Sequence, residues 1–138
     1  MPGSATLYLE SAVLGHTLAF TPMVAPSGVF LALTTTPPSS TVGGIEVASG
    51  SYARMPATFA LASPSNLAAN ALTVEFPAAT AAWGTVGWFE IWDAQTAGNR
   101  LYWGPLVDPA DGVTPITRTV MPGDIVRFSA GVVQVQAV

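Results

Sequence analysis

The sequence contains neither cysteine nor lysine, and it has one histidine and four arginines against eight acidic residues. Without cysteine, disulfides and cysteine-ligated metals are excluded. The net charge of −4 argues against nucleic acid as a partner, because affinity for phosphate backbones comes mainly from cationic contacts. Only 9% of the residues are charged, well below the roughly 25% of an ordinary soluble domain. Such a surface indicates a protein that works inside an assembly.

Long apolar runs are also missing. No stretch of about 18 apolar residues occurs, and the first residues, Met1 to Ser4, carry no basic side chain. We therefore expect neither a membrane span nor a signal peptide, and no membrane partner. A chain of 138 residues fits a single domain, residues 1–138, with a sizeable core.

Signals for catalysis and for cofactors are weak. His16 has no cysteine to activate, no G-x-S-x-G elbow or phosphate-binding glycine loop occurs, and nothing in the sequence places two of the acidic residues together. The run from Asp108 to Gly112 fits an ordinary turn better than a calcium loop. We expect no catalytic residue, no cofactor and no metal, so the chain is not predicted to be an enzyme. His16 is expected to make a polar contact at a helix end.

The first segment, residues 4–19, predicts one helix. Ser4 or Thr6 is a suitable cap, and Leu7, Leu14 and Leu18 recur at helical spacing with Val13 beside them. The favoured interpretation is an amphipathic helix packed on the body of the same domain. A helix that docks on a neighbouring subunit is the alternative.

The remainder, residues 28–138, predicts a β-rich body. Short apolar runs alternate with turn residues, which is typical of a sandwich or a small barrel. The predicted fold is all-β, an antiparallel β-sandwich or small barrel of about seven to eight strands with one N-terminal helix. Pro56 suggests an edge or bulged strand. The predicted strands are residues 29–35, 52–61, 71–76, 85–92, 101–107, 114–120 and 125–138.

Alternation within the strands predicts which side chains face the core. Leu72, Val74 and Phe76 alternate with polar residues and should face it together. In the last run the apolar residues change from even to odd positions near Gly131. We therefore predict a β-bulge or bend at Gly131.

The run 85–92 is the most informative for function. Phe89 and Ile91 alternate with Trp88, Glu90 and Trp92, so two tryptophans flank a carboxylate on the second face. Large aromatic side chains on an outer face are enriched in protein interfaces. In the alternative, both faces are buried and Glu90 lies near a rim or pairs with an arginine.

Several segments together resemble a known family. They are GSYAR at 50–54, VEFPAATAAWGTV at 74–86, LYWG at 101–104 and PGD at 122–124. Over nearly the whole chain, this pattern is similar to small virion proteins of tailed bacteriophages. Members of that family are often labelled tail fibre proteins, and others are similar to head decoration, or cement, proteins.

The resemblance implies a virion structural protein. Since the chain has no shaft of repeats or coiled coil, we expect a decoration protein on the capsid surface, bound to the major capsid protein and assembled in the host cytoplasm. A homo-oligomer, with a trimer favoured, is expected. The alternative is a tail fibre or tail-tip protein that binds a receptor or carbohydrate through exposed aromatics.

The predicted interface has six residues. Arg54 is expected to stack on an aromatic ring or to reach Glu90 or Asp93, or else to act across a subunit boundary. The members of this set are Trp88, Glu90, Trp92, Trp103, Tyr52 and Arg54.

Overall fold

A computed structural model of the chain describes residues 2–62 and 66–137. Residues 63–66 carry the turn signals Ser-Pro-Ser-Asn between predicted strands, and most of that turn, like the final residue of the last predicted strand, lies outside these ranges. The described part contains one helix, α1 (Leu7–Leu18), and short strands. The strands are β1 (Ser4–Ala5), β2 (Val29–Thr34), β3 (Met55–Ala57), β4 (Phe59–Ala62), β5 (Leu67–Asn70), β6 (Val74–Glu75), β7 (Gly84–Val86), β8 (Trp88–Trp92), β9 (Arg100–Pro105), β10 (Arg118–Val120), β11 (Arg127–Phe128) and β12 (Gln134–Gln136).

The strands form antiparallel sheets. The largest has the order β1-β9-β8-β2-β3, and a three-stranded sheet has the order β12-β5-β4. Two further pairs join β10 to β7 and β11 to β6. Pro56 lies in β3 at an edge of the largest sheet, as predicted.

One hydrophobic core is shared by all these sheets. The fold is a small sandwich-like β domain with one helix near its N-terminus, so the predicted fold class is confirmed; it is not a closed barrel. Strand β2 is central to it: Leu31, Ala32 and Leu33 are fully buried, as expected for an apolar run covered on both faces. Other members of the core are Phe76, Trp83, Val86, Phe89, Ile91, Val120, Val126 and Val135.

Some predicted strands were too long. The run 52–61 divides into β3 and β4, and the run 85–92 divides at Gly87, whose N–H donates to the Thr34 carbonyl at 3.2 Å. Strand β5 was missed because its alanines and asparagine carry little β-propensity. Leu72 was wrongly placed in the core: it is 65% exposed, since β6 begins only at Val74.

The bend predicted at Gly131 is present as a turn. Gly131 has φ +87°, and its N–H donates to the Asn70 carbonyl at 2.8 Å. Strand β11, before the turn, pairs with β6, whereas β12, after it, pairs with β5. The change of parity therefore marks the point where the chain passes from one sheet to another.

The N-terminal helix is present and packs on the body through Leu9, but the predicted leucine stripe is not the face that packs. Thr6 caps it, with Oγ1 accepting from the Leu9 N–H at 3.3 Å. Of the helix residues, Leu9 is buried. Leu7, Leu14 and Leu18 are 50%, 58% and 72% exposed. The apolar stripe therefore points away from the body, because Ser4–Ala5 pairs with β9 and fixes how the helix leaves the sheet.

Candidate functional site

The predicted interface residues of β8 and β9 lie on the face of the largest sheet opposite the core. Phe89 and Ile91 are buried in the core, so the predicted alternation along β8 is confirmed. On the other face, Glu90 stands opposite Ala32 on one neighbouring strand and Trp103 on the other. Trp88 and Trp92 flank Glu90 on β8 and are half-buried.

Glu90 is one of the most buried side chains, at 1% exposure. Its carboxylate accepts from the Gly44 N–H at 2.9 Å and from the Trp92 indole N–H at 3.1 Å. The Arg100 Nε lies 3.7 Å away. Burial raises the pKa of Glu90, and the two hydrogen bonds and Arg100 partly offset that effect. The alternative reading, with Glu90 covered and paired to an arginine, is therefore the one observed.

The loop between β2 and the short bridge at Glu46 covers this face. It comes close because Gly43 and Gly44 have no side chains: a Cβ at Gly43 would lie 3.2 Å from the Glu90 carboxylate. A Cβ at Gly44 would collide with the Thr36 carbonyl. The same loop is held in place because the Ile45 N–H donates to Thr36 Oγ1 at 2.8 Å and the Thr35 N–H donates to the Ile45 carbonyl at 2.9 Å.

Arg54 lies at the centre of a second polar cluster. Its guanidinium donates to Glu46 through Nε at 3.0 Å and Nη2 at 2.9 Å. Nη1 donates to the carbonyls of Ala94 at 3.1 Å and Ala97 at 2.8 Å. The same group lies 4.0 Å from the centre of the Trp92 ring. The predicted aromatic stacking is confirmed, whereas the predicted pairing with Glu90 or Asp93 was wrong. Asp93 accepts from Asn99 instead.

Tyr52 joins this cluster to the core. Its hydroxyl donates to Glu46 at 2.6 Å and accepts from the Leu33 N–H at 3.1 Å. Burial, followed by the hydrogen bond to Glu46, raises the pKa of Tyr52. Tyr52 and Arg54 precede β3 rather than lying within a strand. They are brought together by their common acceptor, Glu46.

Tyr52, Arg54, Glu90 and Trp92 therefore form two neighbouring clusters, not one open patch, and Trp88 and Trp103 lie beside them on β8 and β9. Arg54 and Glu90 are buried, and one face of Trp92 is covered by Arg54. Trp103 is half-buried, and its indole N–H has no hydrogen-bond partner among the described residues. Their observed contacts fasten the loops 35–46 and 93–99 to the sheet. A role in an interface stays a prediction.

Trp83 is also structural. Its indole N–H donates to the Gly50 carbonyl at 2.9 Å, and its ring meets those of Tyr52 and Phe76 edge-on at 5.4 and 6.2 Å. The segments GSYAR and VEFPAATAAWGTV thus meet at one point of the core.

Side chains of the types that serve in catalysis or metal binding make local structural contacts here. His16 Nδ1 accepts from the Met23 N–H at 3.1 Å, which confirms its polar contact at the helix end. Asp111 accepts from the N–H groups of Val113 and Thr114 in the predicted turn. The Thr114 hydrogen bonds lower the pKa of Asp111 to about 2. Within residues 2–62 and 66–137, no group of three or more acidic or histidine side chains is placed to hold a metal ion.

Sequence reasoning gave the surface around α1 only as an alternative to packing on the same domain. We call it the helix surface, defined by Leu7, Tyr8, Val13, Leu14, Leu18, Phe20 and Val24, all of which are exposed. A groove of about 580 Å³ runs on one side of α1, beside Pro22 and Val24. Another of about 490 Å³ lies on the other side, beside Tyr102. The leucine spacing was the available signal, but it was assigned to the core.

None of the helices described is long and apolar enough to cross a membrane. A search of curated proteins finds no match to the chain. A family model does match it, over residues 4–136, and that family is described as podophage GP4 fiber I protein gp80. The match spans every strand and the helix. The chain belongs to this family and is a fiber-type structural protein of the phage virion.

Proposed function

We propose that this protein decorates the outer surface of the phage head, where it binds the major capsid protein and stabilises the shell. The observation that carries the proposal is that arginines are paired within the chain while large apolar side chains are exposed. Arg54, Arg100 and Arg127 are each paired with a glutamate of the same chain. Large apolar side chains, in contrast, are exposed on the helix surface and elsewhere. Such a surface suits lasting contact with neighbouring proteins.

The proposal includes no catalytic step and no nucleic-acid or membrane partner. The acidic side chains have structural tasks: Glu46 and Glu90 bind arginines, and Asp111 and Asp124 accept backbone N–H groups in turns. His16 serves its own helix end. The chain would act only by binding other proteins.

Many weak contacts would be enough for such a task. Each copy touches several shell subunits, so that its separate contacts act together. A protein that binds the assembled shell and not the free subunits favours the shell by mass action. A small domain without a shaft is sufficient, because its effect comes from the number of copies.

A tail location is the second candidate, and the word fiber in the family description favours it. In that case the chain would contact a host receptor or polysaccharide. Sugar stacking would need a free aromatic face. Trp92 already has Arg54 on one face, which leaves Trp88, Tyr102 and Trp103, all half-buried, as the candidates.

Electron cryomicroscopy of the intact particle tests the placement. Many copies spread over the head, each touching the major capsid protein, are the expected result. A few copies confined to the tail would refute the head location and favour the second candidate.

A second measurement separates cementing from mere attachment. Particles lacking this protein should release their DNA at a lower temperature than complete particles, and purified protein added back should restore the difference. Equal release temperatures in the two preparations would leave decoration without a cementing role. Purified protein retained on host polysaccharide, and released after Trp88→Ala or Trp103→Ala, would support receptor binding instead.

A further inference from the structure

Four residues of α1 form a continuous seam on its outer side. Leu7, Ser11, Leu14 and Leu18 are separated by four, three and four positions, which is the heptad spacing of helices that pack on one another. At 3.6 residues per turn, the four lie within about 60° of each other around the helix axis. Leu9, the residue that packs on the body, lies about 180° from their centre by the same geometry. The seam therefore lies on the side of α1 away from Leu9, although Leu14 also borders the groove beside Tyr102.

The helix has little support from its own domain. It is 12 residues long and contains Gly15, and isolated helices shorter than about 12–15 residues are marginal in water. Leu9 and the Thr6 cap are its main attachments to the sheet. Packing against the seam would supply the missing stabilisation.

Phe20 gives a second, independent sign of a contact surface. It follows the helix with φ +54° and is 87% exposed. A left-handed backbone at this position normally favours glycine and costs a bulky residue about 1–2 kcal/mol. Thr21, next in the chain, donates its N–H to the Gly15 carbonyl at 2.9 Å and fixes this conformation. The strained backbone holds a large aromatic ring outward, beside the end of the seam.

We propose that copies of this chain associate through the helix surface, with the α1 seam of one copy packed against the α1 seam of the next. The seam contains no charged residue, and Glu10 and His16 lie off it, so self-pairing meets no like-charge repulsion. Two seams with this heptad spacing also fit together, because the side chains of one helix pack between those of the other.

The size of the helix surface agrees with this occupant. Without Val13, which lies on the Leu9 side of the helix, its other six side chains expose on the order of 800 Å², taking roughly 200 Å² for each large side chain. A stable interface buries about 800 Å² on each partner. A closed ring uses every seam, and a trimer would match three-fold positions of a shell. The seam itself does not depend on where in the virion the chain lies.

The mass of the purified chain in solution tests this proposal. Sedimentation equilibrium of the wild type should give a multiple of the 14.2 kDa monomer, with three copies expected. Leu14→Glu should reduce the mass to that of one chain. Leu61→Glu is the matched control, since Leu61 is also exposed, at 78%, but lies on β4 in another sheet. It should leave the mass unchanged.

Cross-linking identifies the contact directly. The chain has no cysteine, so Leu14→Cys introduces the only thiol and mild oxidation should give a covalent dimer. Leu61→Cys should stay monomeric on the same gel. Leu14→Cys also allows the proposal to be tested if Leu14→Glu fails to fold. A monomeric wild type would overturn the proposal, and so would loss of association in Leu61→Glu alone. Either result would leave the head location to be decided by the particle reconstruction.

Discussion

The Arg54 guanidinium contacts a carboxylate, two backbone carbonyls and an indole ring at once. Lysine cannot reproduce this set, because its single ammonium lacks the planar fork that reaches both Glu46 oxygens. We expect Arg54→Lys to lower the free energy of unfolding by about 2–4 kcal/mol, since it leaves buried acceptors without donors. Urea denaturation followed by tryptophan fluorescence measures the change.

A matched control is available in the same chain. Arg127 pairs with Glu75 through Nε at 2.7 Å, but the two side chains are 59% and 49% exposed. Exposed ion pairs contribute about 0–1 kcal/mol. Arg127→Lys should therefore change the unfolding free energy by less than about 1 kcal/mol. Equal losses in the two variants would show that burial does not distinguish the pairs.

Glu90 gives a pH dependence with a definite sign. Burial raises its pKa above the ordinary value of 4.5, so the folded chain binds this proton more tightly than the unfolded chain. The contribution to stability is fully present below pH 4.5 and is lost as the pH rises through the raised pKa. Glu90→Gln does not titrate. The unfolding free energy of the wild type minus that of Glu90→Gln should therefore fall from pH 4.5 upward, as urea titrations at several pH values would show. A difference that rises over that range would contradict the burial argument.

At the scale of single residues, the sequence predicts the kind of contact that a side chain makes better than the residue that it contacts. The stacking of Arg54 on an aromatic ring was predicted from its neighbour Tyr52, but the ring that it contacts is Trp92, and Glu46 was not foreseen as its acceptor. Glu46 lies in a Gly-rich loop without a periodic pattern, and the position of such a loop depends on the finished sheet. The same loop buries Glu90 through the Gly44 N–H, a contact that joins residues 46 positions apart.

Between strands, the turn at Gly50 determines how the motif segments meet. Gly50 has φ +68°, and a Cβ there would lie 2.7 Å from the Ala81 carbonyl and 2.8 Å from the Trp83 indole nitrogen. Gly50→Ala combines left-handed strain with a collision in the core. We expect a loss of roughly 2–4 kcal/mol in unfolding free energy, measured by urea denaturation.

A substitution at Gly112 separates the effect of backbone strain from the effect of the collision. It has the same φ of +68°, but a Cβ there would meet nothing within 4 Å. Gly112→Ala should lose only the strain contribution, about 1–2 kcal/mol. If the two variants were equally destabilised, the Trp83 contact with the Gly50 turn would not matter for stability.

Elements were predictable where the pattern was local. Strand β2 and the core face of β8 followed from apolar runs and alternation, and the turn at Gly131 followed from a change of parity. Strand β5 could not be found in this way, because its residues become a strand only through pairing with β4 and β12. The face of α1 that packs on the body was not predicted for a similar reason: an apolar stripe in a sequence does not show whether it faces its own domain or another protein.

Across the whole molecule, the motif residues that carry the resemblance and the exposed side chains of the helix surface are different. Gly50, Tyr52, Phe76 and Trp83 meet inside the core, so the motifs that carry the resemblance specify the fold. The exposed positions of α1 belong to none of those motifs. The family match spans α1 as well as the core motifs, but a contact surface on α1 is inferred from the exposed side chains of this chain alone.

Self-association should also appear in the thermal stability of the whole molecule. If the folded chain associates and the unfolded chain does not, mass action raises the midpoint of thermal unfolding with protein concentration. We expect the wild-type midpoint to rise steadily across a concentration series in scanning calorimetry. Leu18→Ser removes an exposed seam residue without opening the core, and its midpoint should be independent of concentration. A wild-type midpoint that stays constant would contradict self-association through α1.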